Sequence, residues 1–255
     1  MTAVDLGRYA AEYSAQYESE DWFETVLVHV RREEVLNALG KHPHASVLEI
    51  GCGLEPLFPF VRDFQRWVVI EPVPSFVECA RRAALTHARG ARVEVLEGFV
   101  ETREHELTDR GPFDYVVASS VLHEVPDPRR LLAALRQLSG PETRIHVNVP
   151  NVRSLHRLLA LEAGLISDVF AVSEMERRFQ RSTRFDAETL RATCEAAGFR
   201  VEELWTYFLK PFTHSQMARL VDARVVSRPV VEALARMTRY VPDLGAEIGA
   251  QLRRS

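Results

Sequence analysis

Between residues 46 and 149, short apolar runs alternate with stretches of helical periodicity, and this rhythm constrains the fold more than any other feature of the chain. The runs cover residues 47–50, 67–70, 93–96, 115–118 and 145–149, all of strand length and rich in β-branched residues. Several are apolar at consecutive positions, as in Trp67-Val68-Val69-Ile70, so both faces of such a strand need cover. Parallel strands with helices on either side meet that need.

The helical stretches carry their own punctuation. Asp127 before Pro128 reads as a cap and first helical residue, Leu131, Leu132, Leu135 and Leu138 make the buried stripe, and Gly140 ends it. A second helix runs from the cap Asp186 through Leu190 and Cys194 to Gly198, and residues 199–208 follow as a sixth strand. Residues 246–252 return as a seventh. The expected fold is α/β: a Rossmann-like, seven-stranded, mostly parallel sheet with helices on both faces and a helical cap. Residues 1–45 form an N-terminal helical cap segment, 46–151 the ligand-binding core, and 152–183 an insertion that caps the substrate. Residues 184–212 continue the core, 213–243 form a helical lid and 244–255 hold the last strand.

Composition removes several functions. Among 255 residues, 32 Lys and Arg oppose 36 Asp and Glu, a net charge of −4, and the arginines are scattered along the chain. A nucleic-acid partner held by phosphate contacts wants cations gathered on one face. Three cysteines at wide spacing make neither a disulfide framework nor a CxxC site. His42 and His44 find nothing else at zinc-ligand spacing, so no metal is expected. No run of about 18 apolar residues exists to cross a membrane. The expectation is a cytoplasmic protein, possibly a homodimer, whose partner is a small molecule.

The chemistry gathers at Glu49-Ile50-Gly51-Cys52-Gly53-Leu54-Glu55-Pro56. A strand ends near Glu49, two glycines let the backbone pass close to a ligand, and a helix is expected from about Pro56. Eighteen residues beyond Gly53, Glu71 closes the second strand, where a carboxylate can accept both hydroxyls of a ribose. Strand, Gly-x-Gly, helix, strand, acid is a nucleoside-binding unit. A dinucleotide would want a third glycine, yet Glu55 stands there, and Glu49 and Glu55 would face phosphates. An acidic loop suits a cationic head, and S-adenosyl-L-methionine carries a sulfonium and an ammonium on an adenosine.

Across residues 45–150, and more loosely to 208, the chain resembles the class I S-adenosylmethionine-dependent methyltransferases of the small-molecule type. The likeness rests on Glu49-Ile-Gly51-Cys-Gly53, on Glu71-Pro72, on Glu97-Gly98-Phe99, and on the run from Phe113 through Ser119 and His123 to Pro128. It implies that Glu49, Gly51 and Gly53 lie against the methionine part, that Glu71 with Pro72 takes the ribose, and that Gly98 and Phe99 flank the adenine. Backbone near Ser119 would line the floor. The N-terminal segment of the family commonly closes over the cofactor, so Tyr9 or Tyr17 is placed to reach the methionine carboxylate or the sulfonium, the latter by a cation–π contact. Both belong to a stripe with Tyr13 and Trp22 that core packing alone would also explain.

Methyl transfer is an in-line displacement that depends on alignment, and a base is needed only when the nucleophile is protonated. His123 is the candidate base, at the C-terminal end of the fourth strand where ligands bind in such sheets. The competing reading is that it shapes its loop. Candidate substrate contacts are Arg32 as a partner for an anionic group, Asn151 and His156 at the rim of the fifth strand, and Tyr207, Lys210 and His214 where the sixth strand passes into the second insertion, since members of the family it resembles place acceptor specificity in such insertions. The reading is methyl transfer to an oxygen, less readily a nitrogen, of a small metabolite, sugar or natural-product intermediate, releasing S-adenosyl-L-homocysteine. Its rivals are a carboxylate or amine methyltransferase without a base, a nucleotide-binding oxidoreductase, and a non-catalytic binding module.

Overall fold

The computed structural model describes residues 4–18, 22–181 and 183–255. Seven strands make one sheet: β1 Ser46–Ile50, β2 Arg66–Glu71, β3 Val93–Glu97, β4 Tyr115–Ser119, β5 Arg144–Pro150, β6 Phe199–Tyr207 and β7 Glu247–Arg254. Their order is β3-β2-β1-β4-β5-β7-β6, with β7 antiparallel to both β5 and β6 and the other pairs parallel. Strand order reverses between β1 and β4, which opens a crevice beyond their C-terminal ends.

Among the described residues ten α-helices surround the sheet: α1 Leu6–Glu18, α2 Trp22–Leu39, α3 Pro74–Thr86, α4 Glu104–Thr108, α5 Pro128–Leu138, α6 Leu155–Glu162, α7 Glu174–Arg178, α8 Ala187–Ala196, α9 His214–Asp222 and α10 Arg228–Arg236. Side-chain alternation along the strands divides the core in two. Leu48, Val68 and Val116 pack with Leu131 and Leu135 of α5 on one face, whereas Val47, Trp67, Val69 and Val117 pack with Val35 and Leu39 of α2 on the other. A third cluster joins Phe23 and Leu27 of α2 to Phe208, Met217 and Val231, so α2 ties the sheet to α9 and α10. Each fully buried aliphatic side chain contributes about 1.5–3 kcal/mol.

The caps read from sequence form as expected. Asp127 accepts from the N–H groups of Arg129 and Arg130 at 3.0 and 3.2 Å, with Pro128 at the first turn of α5. Asp186 and Thr189 make a reciprocal capping box on α8, and Thr213 and Gln216 make another on α9.

One expectation fails. No α-helix begins at Pro56; residues 51–65 run as turns with a single 3-10 turn at Phe58–Phe60. Pro59 cannot donate to the carbonyl of Glu55 and its ring clashes there, so the helix cannot propagate. The segment is anchored instead by Phe58, Val61 and Phe64, which are buried against Trp67 and Val69.

Candidate active site

A cavity of about 380 Å³ lies at the crevice, floored by the C-terminal ends of β1, β2, β4 and β5 and covered by α1, α2 and the segment after β6. Glu49, Gly51, Gly53, Glu71, Pro72, Gly98, Phe99 and Ser119 all line it. These residues are distant in sequence, and the parallel sheet brings them together because successive strands deliver their C-terminal loops to one edge.

The glycine loop is held by two buried carboxylates. Glu49 accepts from Leu57 N–H at 2.9 Å and from the indole N–H of Trp67 at 2.8 Å. Its carboxylate therefore pins the loop and is only secondarily a ligand group. Glu71 accepts from Val73 N–H at 2.9 Å and from Gly53 N–H at 3.2 Å. Burial pushes both carboxyls up to about 7, against the pull of these donors. Gly51 and Gly53 have φ of 68° and 58°, and a Cβ on Gly51 would come within 2.8 Å of Val121. Only glycine fits that turn. Glu55, expected to acidify the loop, is paired instead with Arg32 at 2.9 Å, and that guanidinium lies 3.9 Å from the Phe60 ring centre.

No helix N-terminus follows the glycines, so the element that a dinucleotide fold aims at a pyrophosphate is replaced here by a 3-10 turn. Just after β3, Gly98 takes φ of 140° and donates to the Glu71 carbonyl at 3.0 Å. Phe99 presents a ring 39% exposed, an apolar surface beside the cavity.

α1 roofs the cavity. Tyr9 and Tyr13 stand 5.8 Å apart and pack on Phe76 of α3, and Tyr9 also meets Phe179 edge-on. Burial pushes the Tyr13 hydroxyl up to about 12. The Tyr9 hydroxyl donates to Glu124 at 2.5 Å, and Arg181 binds the other oxygen of Glu124 at 2.8 Å. The side chain of Tyr17 lies outside the described residues.

His123 sits beneath this clamp, 3% exposed, and both ring nitrogens lack a hydrogen-bond partner. Burial, with Arg181 and Arg31 nearby, holds its pKa well below the ordinary histidine value, so the ring is neutral. Its Nε2 lies 3.6 Å from Glu124 Oε1. Around it the wall is built from Arg31, paired with Glu247 at 3.0 Å, from Lys210, from His156 and from His214, whose Nδ1 lies 3.4 Å from Glu24. His156 shares a 3.0 Å hydrogen bond with Ser154, and burial pushes its pKa down to about 2.

The structure redistributes the candidate substrate contacts. His156, Lys210 and His214 reach the cavity. Tyr207 does not line it: the side chain is 2% exposed in the third core cluster, and its hydroxyl accepts from Asn148 at 2.8 Å. Strand alternation explains this, since Tyr207 ends β6 pointing into the α2 contact. Asn151 touches the cavity, yet its amide donates to Gly245 and Asp243 carbonyls and its oxygen accepts from Arg153 N–H, so it ties β5 to β7. Arg32 also lines the cavity, with its guanidinium paired to Glu55 and lying over Phe60. Sequence reading missed Tyr13, Glu124, Arg181 and Glu247 as cavity residues. The stripe containing Tyr13 was visible, but nothing local in the sequence marks Glu124, Arg181 or Glu247, whose partners lie 57 to 216 residues away.

A methyltransferase-domain family, Methyltransf_23, matches residues 27–204. The chain belongs to the S-adenosylmethionine-dependent methyltransferases. Solved structures agree on the fold. A methyltransferase of Thermotoga maritima, described as a possible histamine N-methyltransferase, superposes with TM-score 0.61 at 17% identity, covering 98% of this chain and 100% of that one. The [4+2]-cyclase SpnF gives 0.55 at 18% identity over 84% of this chain and 75% of its own. The mitomycin 7-O-methyltransferase MmcR gives 0.54 at 18%, over 91% of this chain and 54% of its own. No curated protein matches by sequence. Among the described residues no helix is long and apolar enough to cross a membrane, and no cluster of His, Cys, Asp or Glu could hold a metal.

Proposed function

We propose that this methyltransferase binds S-adenosylmethionine in the described cavity and methylates a hydroxyl of a small metabolite, with His123 as the general base. Bound there, the cofactor supplies an electrophilic methyl on a sulfonium. The residues fit it: Glu71 is a buried carboxylate at the end of β2, Gly51 and Gly53 bring a turn with positive φ against the cavity, and Phe99 offers an apolar face for a base. The unpaired, neutral His123 ring carries the reading, because a ring without partners beside the cavity has a lone pair to offer a hydroxyl proton.

His123 would take the hydroxyl proton of the acceptor as its oxygen accepts the methyl group, the carbon–sulfur bonding pair remaining on sulfur. Glu124, 3.6 Å away, is placed to stabilise the imidazolium that results. Tyr9 and Arg181 clamp Glu124 over the ring, and both ring nitrogens are covered from water in the free protein. Their covering requires that the clamp shift for the acceptor to enter, and its return excludes water.

A panel of small hydroxylated metabolites incubated with methyl-labelled S-adenosylmethionine tests the reading. Label is expected in an ether linkage, and His123→Ala is expected to abolish it. Label found only on amines or carboxylates would overturn the oxygen assignment. Its retention in His123→Ala would overturn the base.

A further inference from the structure

The cavity wall opposite the glycine loop holds two groups whose needs the chain does not meet. Lys210 lines the cavity just after β6, and among the described residues its ammonium has neither a hydrogen bond nor an ion pair. Desolvation disfavours its charged form, with Glu247 and Glu24 the carboxylates that oppose this. Yet those carboxylates have prior partners: Glu247 Oε1 takes Arg31 at 3.0 Å, and Glu24 faces His214 at 3.4 Å. The second unmet group is Glu247 Oε2, buried without a donor. A half-buried cation without an anion and a buried carboxylate oxygen without a donor each cost stability unless something supplies the missing partner.

We infer that the acceptor is a small acid whose carboxylate pairs with Lys210 and whose neighbouring hydroxyl or amino group, separate from the hydroxyl that faces His123, donates to Glu247, as 2-hydroxy and 2-amino acids can. A single uncommitted ammonium matches a monoanion, whereas a phosphate dianion would leave one charge unpaired. Nearby Arg157 offers little to a phosphate fork, because its Nε and Nη2 already donate to the carbonyls of Val169 and Ala171. His156, hydrogen-bonded to Ser154 and flanked by Lys210 and Arg157, stays neutral and adds no second positive charge. Lys210, Glu247 and His123 line the same cavity, with Arg31 among its wall residues.

This inference rests on the methyltransferase reading of the cavity, and the test separates the two. Enzyme saturated with S-adenosylhomocysteine is titrated calorimetrically with small 2-hydroxy and 2-amino acids, each beside its primary amide and beside the same acid lacking the 2-substituent. Acids are expected to bind roughly tenfold or more tighter than either counterpart. Lys210→Met should erase the preference over the amide and Lys210→Arg should keep it, both with unchanged S-adenosylhomocysteine affinity. Equal binding of acids and amides, no acid binding at millimolar concentration, or a preference that survives Lys210→Met would overturn the acid subsite. Failure of S-adenosylhomocysteine to bind the wild type would instead remove the methyltransferase reading of the cavity.

Discussion

Glu71 Oε2 accepts a hydrogen bond from the backbone N–H of Gly53 at 3.2 Å, so the acid that closes β2 also holds the glycine turn that follows β1. The two elements expected to contact opposite ends of the cofactor are thus one mechanical unit. Burial places the Glu71 and Glu49 carboxyls near 7 in the free protein, well above the ordinary carboxylate value. Between those values the folded chain holds protons that the unfolded chain has released, so these two groups make stability fall as pH rises through about 7. Ribose hydroxyls donating to Glu71 favour its ionised form, so binding releases a proton. S-adenosylhomocysteine affinity should therefore tighten from pH 6 to 8, with a binding heat that depends on buffer ionisation. Affinity that is flat over this range would contradict the coupling.

His123→Ala should lower turnover by about 10²–10⁴-fold, the usual contribution of general acid–base catalysis, while S-adenosylhomocysteine binds within about twofold of wild type. Because burial and two neighbouring arginines keep the ring neutral, turnover at saturating cofactor should show no acid limb near the ordinary histidine value. A limb there would mean that the ring titrates as an exposed imidazole does.

Tyr9→Phe removes the hydroxyl bound to Glu124 and leaves the aromatic packing on Phe76 and Phe179 in place. A hydrogen bond to a charged group contributes about 1.5–3 kcal/mol. Amide exchange across α1 should speed up, and cofactor affinity should fall by roughly tenfold. Unchanged exchange would show that the aromatic contacts alone hold the roof.

Asn151→Ala should destabilise the fold by about 1–3 kcal/mol by orphaning the buried carbonyl of Gly245, seen as a lower melting temperature. Tyr207→Phe should act in the same direction through Asn148. Neither should alter the Michaelis constant for an acceptor, since their polar groups are spent inside the protein.

The strands were readable because each is a local pattern: Trp67-Val68-Val69-Ile70 announces double-sided burial by itself, and Asp127-Pro128 and Asp186 carry their helix starts within four residues. The glycine loop and Glu71 were readable for the same reason. What escaped depends on distance or on competition. The segment after Gly53 carries a helical pattern that Pro59 breaks by its clash with the Glu55 carbonyl, and the pairing of Arg32 with Glu55 across 23 residues has no local signature. Tyr207 and Asn151 sit at strand ends, where residues turn either to the cavity or to a neighbouring strand, and only the β5-β7-β6 register decides which.

Calorimetric titration of S-adenosylhomocysteine and NAD into the wild type and into Glu71→Ala tests the central claim most directly. The account predicts one S-adenosylhomocysteine site per chain, weakened at least tenfold in Glu71→Ala, and no heat from NAD. NAD binding in its place, or S-adenosylhomocysteine binding indifferent to Glu71, would contradict it.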